Sequence, residues 1–277
     1  MGDMDEVLQT WQAVGPAWER HRDRVFENTR VTSDWLIEQI DPQPGQTVLE
    51  LTAGPGETGF LIAERVLPDG RLISSDLAPA MVEAAQRGGE RRGLTNAEYR
   101  VIDAQQIDLP EDAVDVVVSR FGLMLVPDPA RAFAEMRRVL RPGGQLAYAV
   151  PGPPDRNQWI ALLIGALLQN GHVPPGDPSA PGGLFSLATP ERNRELLAAA
   201  GFSDVHTAGV EGAMHFDDLD DYWSIQTSLA GPVADLVAAM QPDEVAAVKA
   251  TLASMIEPFG SDDGYALPLL ATAAHAR

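Results

Sequence analysis

Between Gln46 and Val150, short apolar runs alternate with longer amphipathic ones. Thr47–Leu51, Arg71–Ser75, Glu98–Ile102, Val114–Ser119 and Gln145–Val150 have the length of strands. The stretches between them, roughly Glu57–Leu67, Pro79–Gly93 and Asp128–Leu140, read as helices. In the last of these, Phe133, Met136, Val139 and Leu140 share one helical face. Asp128 suits an N-cap, Pro129 suits the first helical position, and Pro142-Gly143-Gly144 ends the element. Strands separated by helices imply crossover units and a mainly parallel sheet.

The flanks have a different pattern. Residues 1–40 predict two helices interrupted at Gly15-Pro16, with Trp11, Val14, Trp18 and Val25 at helical spacing. Residues 151–190 are rich in Pro and Gly apart from an apolar helix near Trp159–Leu168. A helix at Pro190–Ala200 leads through Gly201-Phe202 into a strand; residues 217–259 read as helices, and Tyr265–Ala274 as a final strand. We therefore divide the chain into an N-terminal helical lid (1–40), a sheet core (41–150), and a remainder (151–277) that completes the sheet and carries helical cap segments.

Composition narrows the function. Acidic residues outnumber basic ones 40 to 20, giving a net charge of −20, which repels phosphate backbones and argues against nucleic acid as partner. With 45% hydrophobic residues in 277, the chain can build a full core. Cysteine is absent, which removes thiolate nucleophiles and sulfur-based zinc sites, and the residues suggest no other metal site. The start, Met1-Gly2-Asp3-Met4-Asp5-Glu6, is acidic where a secretory signal would be basic. The strongest apolar run, Ile160–Leu168, is about half the length that spans a bilayer. The expectation is a cytoplasmic protein without a membrane span, and a homodimer is among the assemblies this pattern allows.

The candidate chemistry lies in VLELTAGPGETG, residues 48–59, where Gly54, Gly56 and Gly59 fall at G-x-G-x-x-G spacing after a strand. A P-loop would need Gly-Lys-Ser/Thr, but Phe60 follows Gly59 and Lys249 is the sole lysine. A nicotinamide dinucleotide fits the glycines and Asp76 at the next strand end. However, the Tyr-x-x-x-Lys pair of short-chain dehydrogenases is missing, since Val245 lies four positions before Lys249. S-adenosylmethionine, a cationic nucleoside without phosphate, suits carboxylates better, and Glu50, Asp76 and Asp103 end successive strands. On a doubly wound sheet such ends converge on one crevice.

VLELTAGPGETG, LISSDLAPAMVEAA, YRVIDAQQIDLPEDAVDVVVSRFGLMLVPD and EMRRVLRPGGQL together resemble the class I S-adenosylmethionine-dependent methyltransferases. The resemblance is to the small-molecule branch similar to ubiquinone/menaquinone-biosynthesis methyltransferases. It covers residues 46–150, and TPERNRELLAAAGFSDV extends it more loosely. It implies an α/β, doubly wound, Rossmann-like fold: a seven-stranded, mostly parallel sheet with an antiparallel last strand and helical lid elements.

The resemblance also implies roles. Glu50 and the loop Thr52, Ala53, Gly54 and Gly56 would hold the methionine part, and Asp76 would accept hydrogen bonds from the ribose hydroxyls. Leu77 and Met81 would lie against the adenosine, Asp103 would take the adenine amino group, and the Ala104 N–H would meet the ring. Ser119 and Arg120 would flank the methionine and face the acceptor. Thr52 stands where the family usually has glycine, which restricts the backbone and narrows the pocket.

Methyl transfer from a sulfonium needs mainly alignment and exclusion of water, with a general base only where the acceptor must lose a proton. Catalytic candidates are His21, Arg120 and His215, none within a diagnostic motif. Trp11, Trp18, Tyr222 and Trp223 read as packing residues rather than an aromatic cage. Trp159, Leu162, Leu163, Leu184 and Phe185 in the cap region suggest a fairly hydrophobic small-molecule methyl acceptor. Attack by oxygen, carbon or nitrogen stays open, as do an NAD(P)-dependent oxidoreductase and a non-methylating S-adenosylmethionine-binding protein.

Overall fold

A computed structural model describes residues 4–180 and 182–277. The start of the acidic N-terminal run, residues 1–3, and Pro181 in the Pro/Gly-rich segment lie outside the described residues. Along the chain, α1 (Met4–Ile40) precedes an alternating block. The block runs β1 (Thr47–Glu50), α2 (Glu57–Arg65), β2 (Arg71–Asp76), α3 (Pro79–Arg91), β3 (Ala97–Val101), β4 (Val114–Arg120), α4 (Pro129–Val139) and β5 (Leu140–Pro151). Next come α5 (Gln158–Gln169), α6 (Pro190–Ala199), β6 (His206–Phe216) and α7 (Leu219–Leu229). The chain closes with α8 (Gly231–Ala239), α9 (Pro242–Ile256), the two-residue β7 (Gly260–Ser261) and β8 (Gly264–Ala276).

The strands order as β3-β2-β1-β4-β5-β8-β6, with β7 appended to β8. Neighbours from β3 to β5 pair in parallel, whereas β8 runs antiparallel to both β5 and β6. The antiparallel last strand and the mostly parallel sheet are as expected; β7 is an addition too short to announce itself in the sequence. β1 is buried along its whole length, as a central strand covered on both faces must be. Two apolar clusters fill the two sides of the sheet: one packs α1, α2, α5, α7 and α9, the other α4 and α6. The strand order reverses between β1 and β4, so the carboxyl ends of these two strands open the crevice where such sheets bind ligands.

Two expectations need correction. Residues 4–40 form one helix and not two, with Pro16 inside it. Pro16 lacks the N–H that would reach the Gln12 carbonyl, but both residues are exposed, so water can meet that carbonyl. Packing holds the helix together across the proline. Val14 clusters with Ala78 and Met81, and Gly15 lies so close to α3 that a Cβ there would be 2.6 Å from the Ala80 Cβ. The second correction concerns Pro142-Gly143-Gly144, which ends α4 but does not delay the strand. β5 begins at Leu140 and carries these residues in a bulge: Val114 pairs Leu140 while Val116 pairs Gln145, with Gly143 at φ 77°.

No helix among the described residues is long and apolar enough to cross a membrane.

Candidate functional site

The backbone N–H groups of the turn after β1 are satisfied within the turn and by β2. The Ala53 N–H donates to the Ser75 carbonyl (2.9 Å), the Gly56 N–H to the Ala53 carbonyl (3.0 Å), and the Gly54 N–H to Asp76 Oδ2 (2.9 Å). Gly54 (φ 54°) and Gly56 (φ 90°) both occupy the left-handed region, which glycine enters at little cost. A Cβ at Gly54 would meet nothing within 4 Å, so that side of the turn is open. Gly56 is fixed a second way, because a Cβ there would lie 2.7 Å from the Phe60 ring.

Thr52 takes φ 53°, a conformation that is unfavourable for a β-branched residue. Its hydroxyl donates to the Leu51 carbonyl (2.6 Å) and shares a hydrogen bond with Ser119 Oγ (2.7 Å). The Thr52 side chain also fills space left by Gly122, where a Cβ would lie 2.1 Å from Oγ1.

A cavity of about 220 Å³ lies over these strand ends. Of the sequence-predicted residues, Thr52, Ala53, Gly54, Asp76, Leu77, Met81, Asp103, Ala104 and Arg120 line it. Asp76 accepts from the N–H groups of Gly54 and, at 3.0 Å, Ala78, so it both caps α3 and pins the glycine turn. Burial pushes its carboxyl above the ordinary value, against the lowering effect of backbone donors from Ala78, Gly54 and Leu77. Asp103 accepts from the Gln105 N–H (2.8 Å), a local turn that holds the acid just past the end of β3.

Glu50, Gly56, Ser119, His21 and His215 do not line the cavity. Glu50 is buried, accepting from the Gly59 N–H (2.8 Å) and from Ser74 Oγ (3.0 Å). A Cβ at Gly59 would lie 2.1 Å from Glu50 Oε2, so the third glycine of the motif makes room for this carboxylate. Glu50 thus ties β1 and β2 to the first turn of α2 and supports the turn from beneath. Burial pushes its carboxyl up to about 7, opposed by the Ser74 and Gly59 hydrogen bonds.

The histidines lie elsewhere. His21 sits on α1, its pKa lowered first by burial and then by Arg20. His215 is an exposed residue of the edge strand β6 whose backbone pairs with the Asn28 side chain. No histidine lines the cavity, so neither candidate is placed to act as a base there.

Arg120 is the only cationic side chain in the cavity wall among the described residues. Its Nε donates to Thr58 Oγ1 (2.9 Å) and its Nη1 to Thr29 Oγ1, and no carboxylate lies within ion-pair distance. Burial draws the guanidinium below its ordinary value, while Glu50 and Glu57 act in the opposite sense.

Several site residues escaped the sequence reading. Thr29 and Thr58, which seat Arg120, lie on α1 and α2; Thr29 carries no motif, and Thr58 sits within the glycine motif among residues given no role there. Trp11, Trp18 and Trp159 all line the cavity, so two residues expected only to pack also face it. Tyr222 stays in the core with its hydroxyl on the Trp159 carbonyl (3.1 Å), and Trp223 packs beneath Lys249. In the cap, Trp159 and Leu184 reach the cavity, whereas Leu162, Leu163 and Phe185 belong to the apolar clusters. Gln226, on α7, reaches it too.

Comparisons with known proteins agree with this arrangement. Residues 48–144 match a family model described as a methyltransferase domain. The chain is 31% identical over 188 residues to the demethylmenaquinone methyltransferase of Thermus thermophilus, covering 62% of this chain and 81% of that one. It is 33% identical over 136 residues to the nocamycin O-methyltransferase of Saccharothrix syringae, covering 48% and 49%. Among solved structures, a SAM dependent methyltransferase from Aquifex aeolicus shares the fold with a TM-score of 0.52 at 19% identity, covering 69% of this chain and 89% of that one. For the first curated relatives the match spans a third to a half of the relative's length, 33 to 49%. The chain belongs to the S-adenosylmethionine-dependent methyltransferases.

Proposed function

We propose that the protein transfers a methyl group from S-adenosylmethionine to a small, fairly hydrophobic acceptor. The observation that carries this reading is the cavity wall itself. Asp76, Asp103, Leu77 and Met81 all line it, together with Gly54, whose open face lies on the turn that Asp76 holds. Asp76 would accept the ribose hydroxyls, Asp103 the adenine amino group and the Ala104 N–H the ring, with Leu77 and Met81 against the adenosine. The turn from Thr52 to Gly56 would run beside the methionine part. Arg120, the one cationic side chain of the wall among the described residues, would meet the methionine carboxylate. Glu50 and Ser119 would act through the turn they hold and not by contact.

When bound, S-adenosylmethionine supplies a methyl group already activated by the positive sulfur. The chain's own contribution is then to orient the acceptor and exclude water. α1, α5 and α7 deliver the apolar residues that do so: Trp18, Val25, Trp159, Ile160, Ile225 and Leu229. None of the five histidines lines the cavity to abstract a proton there, which favours acceptors that ionise on their own or need no deprotonation.

The dinucleotide reading has less support. A pyrophosphate is held by free backbone N–H groups at such a turn. Here those of Ala53, Gly54 and Gly56 are already taken by Ser75, Asp76 and Ala53, and Pro55 has none. The test is turnover: S-adenosylmethionine with a labelled methyl group, offered with a panel of phenols, quinones and amines. Label appearing in an acceptor supports the reading; binding of S-adenosylmethionine without transfer across the panel favours a non-methylating role.

A further inference from the structure

Helix α7 presents one buried face, made of Tyr222, Ile225, Gln226 and Leu229. Three of these four are apolar or aromatic, and the fourth is an amide. Gln226 is 8% exposed, so it occupies a core position rather than a surface one. Among the described residues its side chain has no hydrogen-bond partner in the protein, although a buried amide left unpaired is costly. Its amide is nevertheless not sealed. The buried, unpartnered side-chain atoms of the described residues are Arg24 Nε, Thr32 Oγ1 and Tyr99 Oη, and the Gln226 atoms are not among them. The residue lines the cavity, so its remaining surface opens there.

Its surroundings set it apart from the other polar groups of the wall. Thr29 donates to the Val25 carbonyl and accepts from Arg120, and Thr52 is engaged with Leu51 and Ser119. Asp76 and Asp103 belong to the nucleoside end. Of the lining residues that α5, β6 and α7 contribute, Gln226 is the one polar side chain; the others are Trp159, Ile160, Met214, Ile225 and Leu229. An amide offers a donor and an acceptor side by side.

We propose that Gln226 is the residue that recognises the methyl acceptor, and that the acceptor is an apolar, ring-sized molecule bearing a carbonyl or hydroxyl group that meets this amide. The inference rests on the methyltransferase reading of the cavity. It follows the general behaviour of sites built around one buried polar group: an analogue lacking the matching group leaves the protein group unpaired and is rejected.

The experiment uses the full chain saturated with S-adenosylhomocysteine and two probes of equal shape class, 1-hydroxy-2-acetonaphthone and 2-ethylnaphthalene. Wild type should bind the hydroxy-ketone at least about tenfold more tightly than the hydrocarbon, the loss expected for one unpaired buried group. Gln226→Met, which keeps the volume without the amide, should abolish that discrimination, leave S-adenosylhomocysteine affinity within about twofold, and keep or raise Tm. Gln226→Met that retains the discrimination overturns the inference, as does equal binding of both probes by wild type. A variant that instead loses S-adenosylhomocysteine affinity would place Gln226 at the nucleoside end and also overturn it. Failure of wild type to bind S-adenosylhomocysteine at all is a separate result that removes the methyltransferase reading and the inference with it.

Discussion

Arg22 Nε and Glu57 Oε1 lie 2.5 Å apart in the interior, joining α1 to the first turn of α2. Arg92, just past α3, holds the other Glu57 oxygen at 2.5 Å, and Arg22 Nη2 donates to the Pro55 carbonyl at 2.7 Å. Gly88 on α3 leaves the room for this, since a Cβ there would lie 2.2 Å from the same Nη2. The glycine turn and the helix that walls the cavity are therefore fastened by one guanidinium. Removing one partner of a buried ion pair leaves an under-compensated charge, at a cost of roughly 3 kcal/mol. Arg22→Met should lower unfolding free energy by about that amount in urea titrations. It should also weaken S-adenosylhomocysteine binding, because the Pro55 carbonyl loses its donor. Gly88→Ala should act in the same direction by displacing Arg22.

Asp76 combines a turn-fixing role with the proposed ribose contact, and two variants separate these. Asp76→Ala loses both and should weaken S-adenosylhomocysteine by about 10- to 100-fold, the range for hydrogen bonds to a charged group. Asp76→Asn keeps one acceptor oxygen for Gly54 or Ala78. It should hold Tm closer to wild type than Asp76→Ala does while still losing most of the affinity, as calorimetry and thermal melts would record.

Glu50 gives the fold a pH dependence of unusual sign. Its ordinary carboxyl value is 4.5 and burial raises it to about 7 in the folded chain. Between these values the folded protein holds a proton that the unfolded chain has released. Stability therefore falls as pH rises through that window, and the penalty is complete above about 7. At about 1.4 kcal/mol per pKa unit the penalty approaches roughly 3 kcal/mol. Glu50→Gln can still accept from the Gly59 N–H, and Ser74 can turn to accept from the amide. The variant should match wild type at pH 5 and exceed it at pH 8, read by denaturant unfolding at the two pH values.

Thr52 sets a strained backbone against two hydroxyl contacts. Thr52→Gly relieves about 1 to 2 kcal/mol of left-handed strain and loses a hydrogen bond of about 1 kcal/mol plus some backbone entropy, so its stability should change by less than about 1 kcal/mol. Thr52→Val loses the same contact with the buried Ser119 hydroxyl and keeps the left-handed strain that glycine relieves. It should therefore be the less stable of the two by roughly 1 to 2 kcal/mol, the strain itself, in urea titrations.

The alternating block was legible because each of its signals is local. Asp128 caps α4 by accepting from the Arg131 N–H (3.0 Å), and the strand ends at Glu50, Asp76 and Asp103 fall where the apolar runs stop. The roles of those ends were less legible. Glu50 and Asp76 look alike in sequence, yet one faces Gly59 beneath the turn and the other faces the cavity, a difference set by side-chain direction at the end of each strand. Pro16 misled because its cost to α1 is local while the packing of Val14 and Gly15 on α3 is not. Thr29, Arg22 and Gln226 carry no motif; only the approach of α1 and α7 to the sheet ends gives them a place at the site.

Calorimetric titration of the wild-type chain asks whether the cavity over β1, β2 and β3 takes a phosphate-free amino-acid nucleoside in preference to a dinucleotide. S-adenosylhomocysteine and NADH are titrated separately into the same protein. Saturable one-to-one binding of S-adenosylhomocysteine and no binding of NADH at the same concentrations are expected. Saturable binding of NADH with none of S-adenosylhomocysteine would contradict that preference.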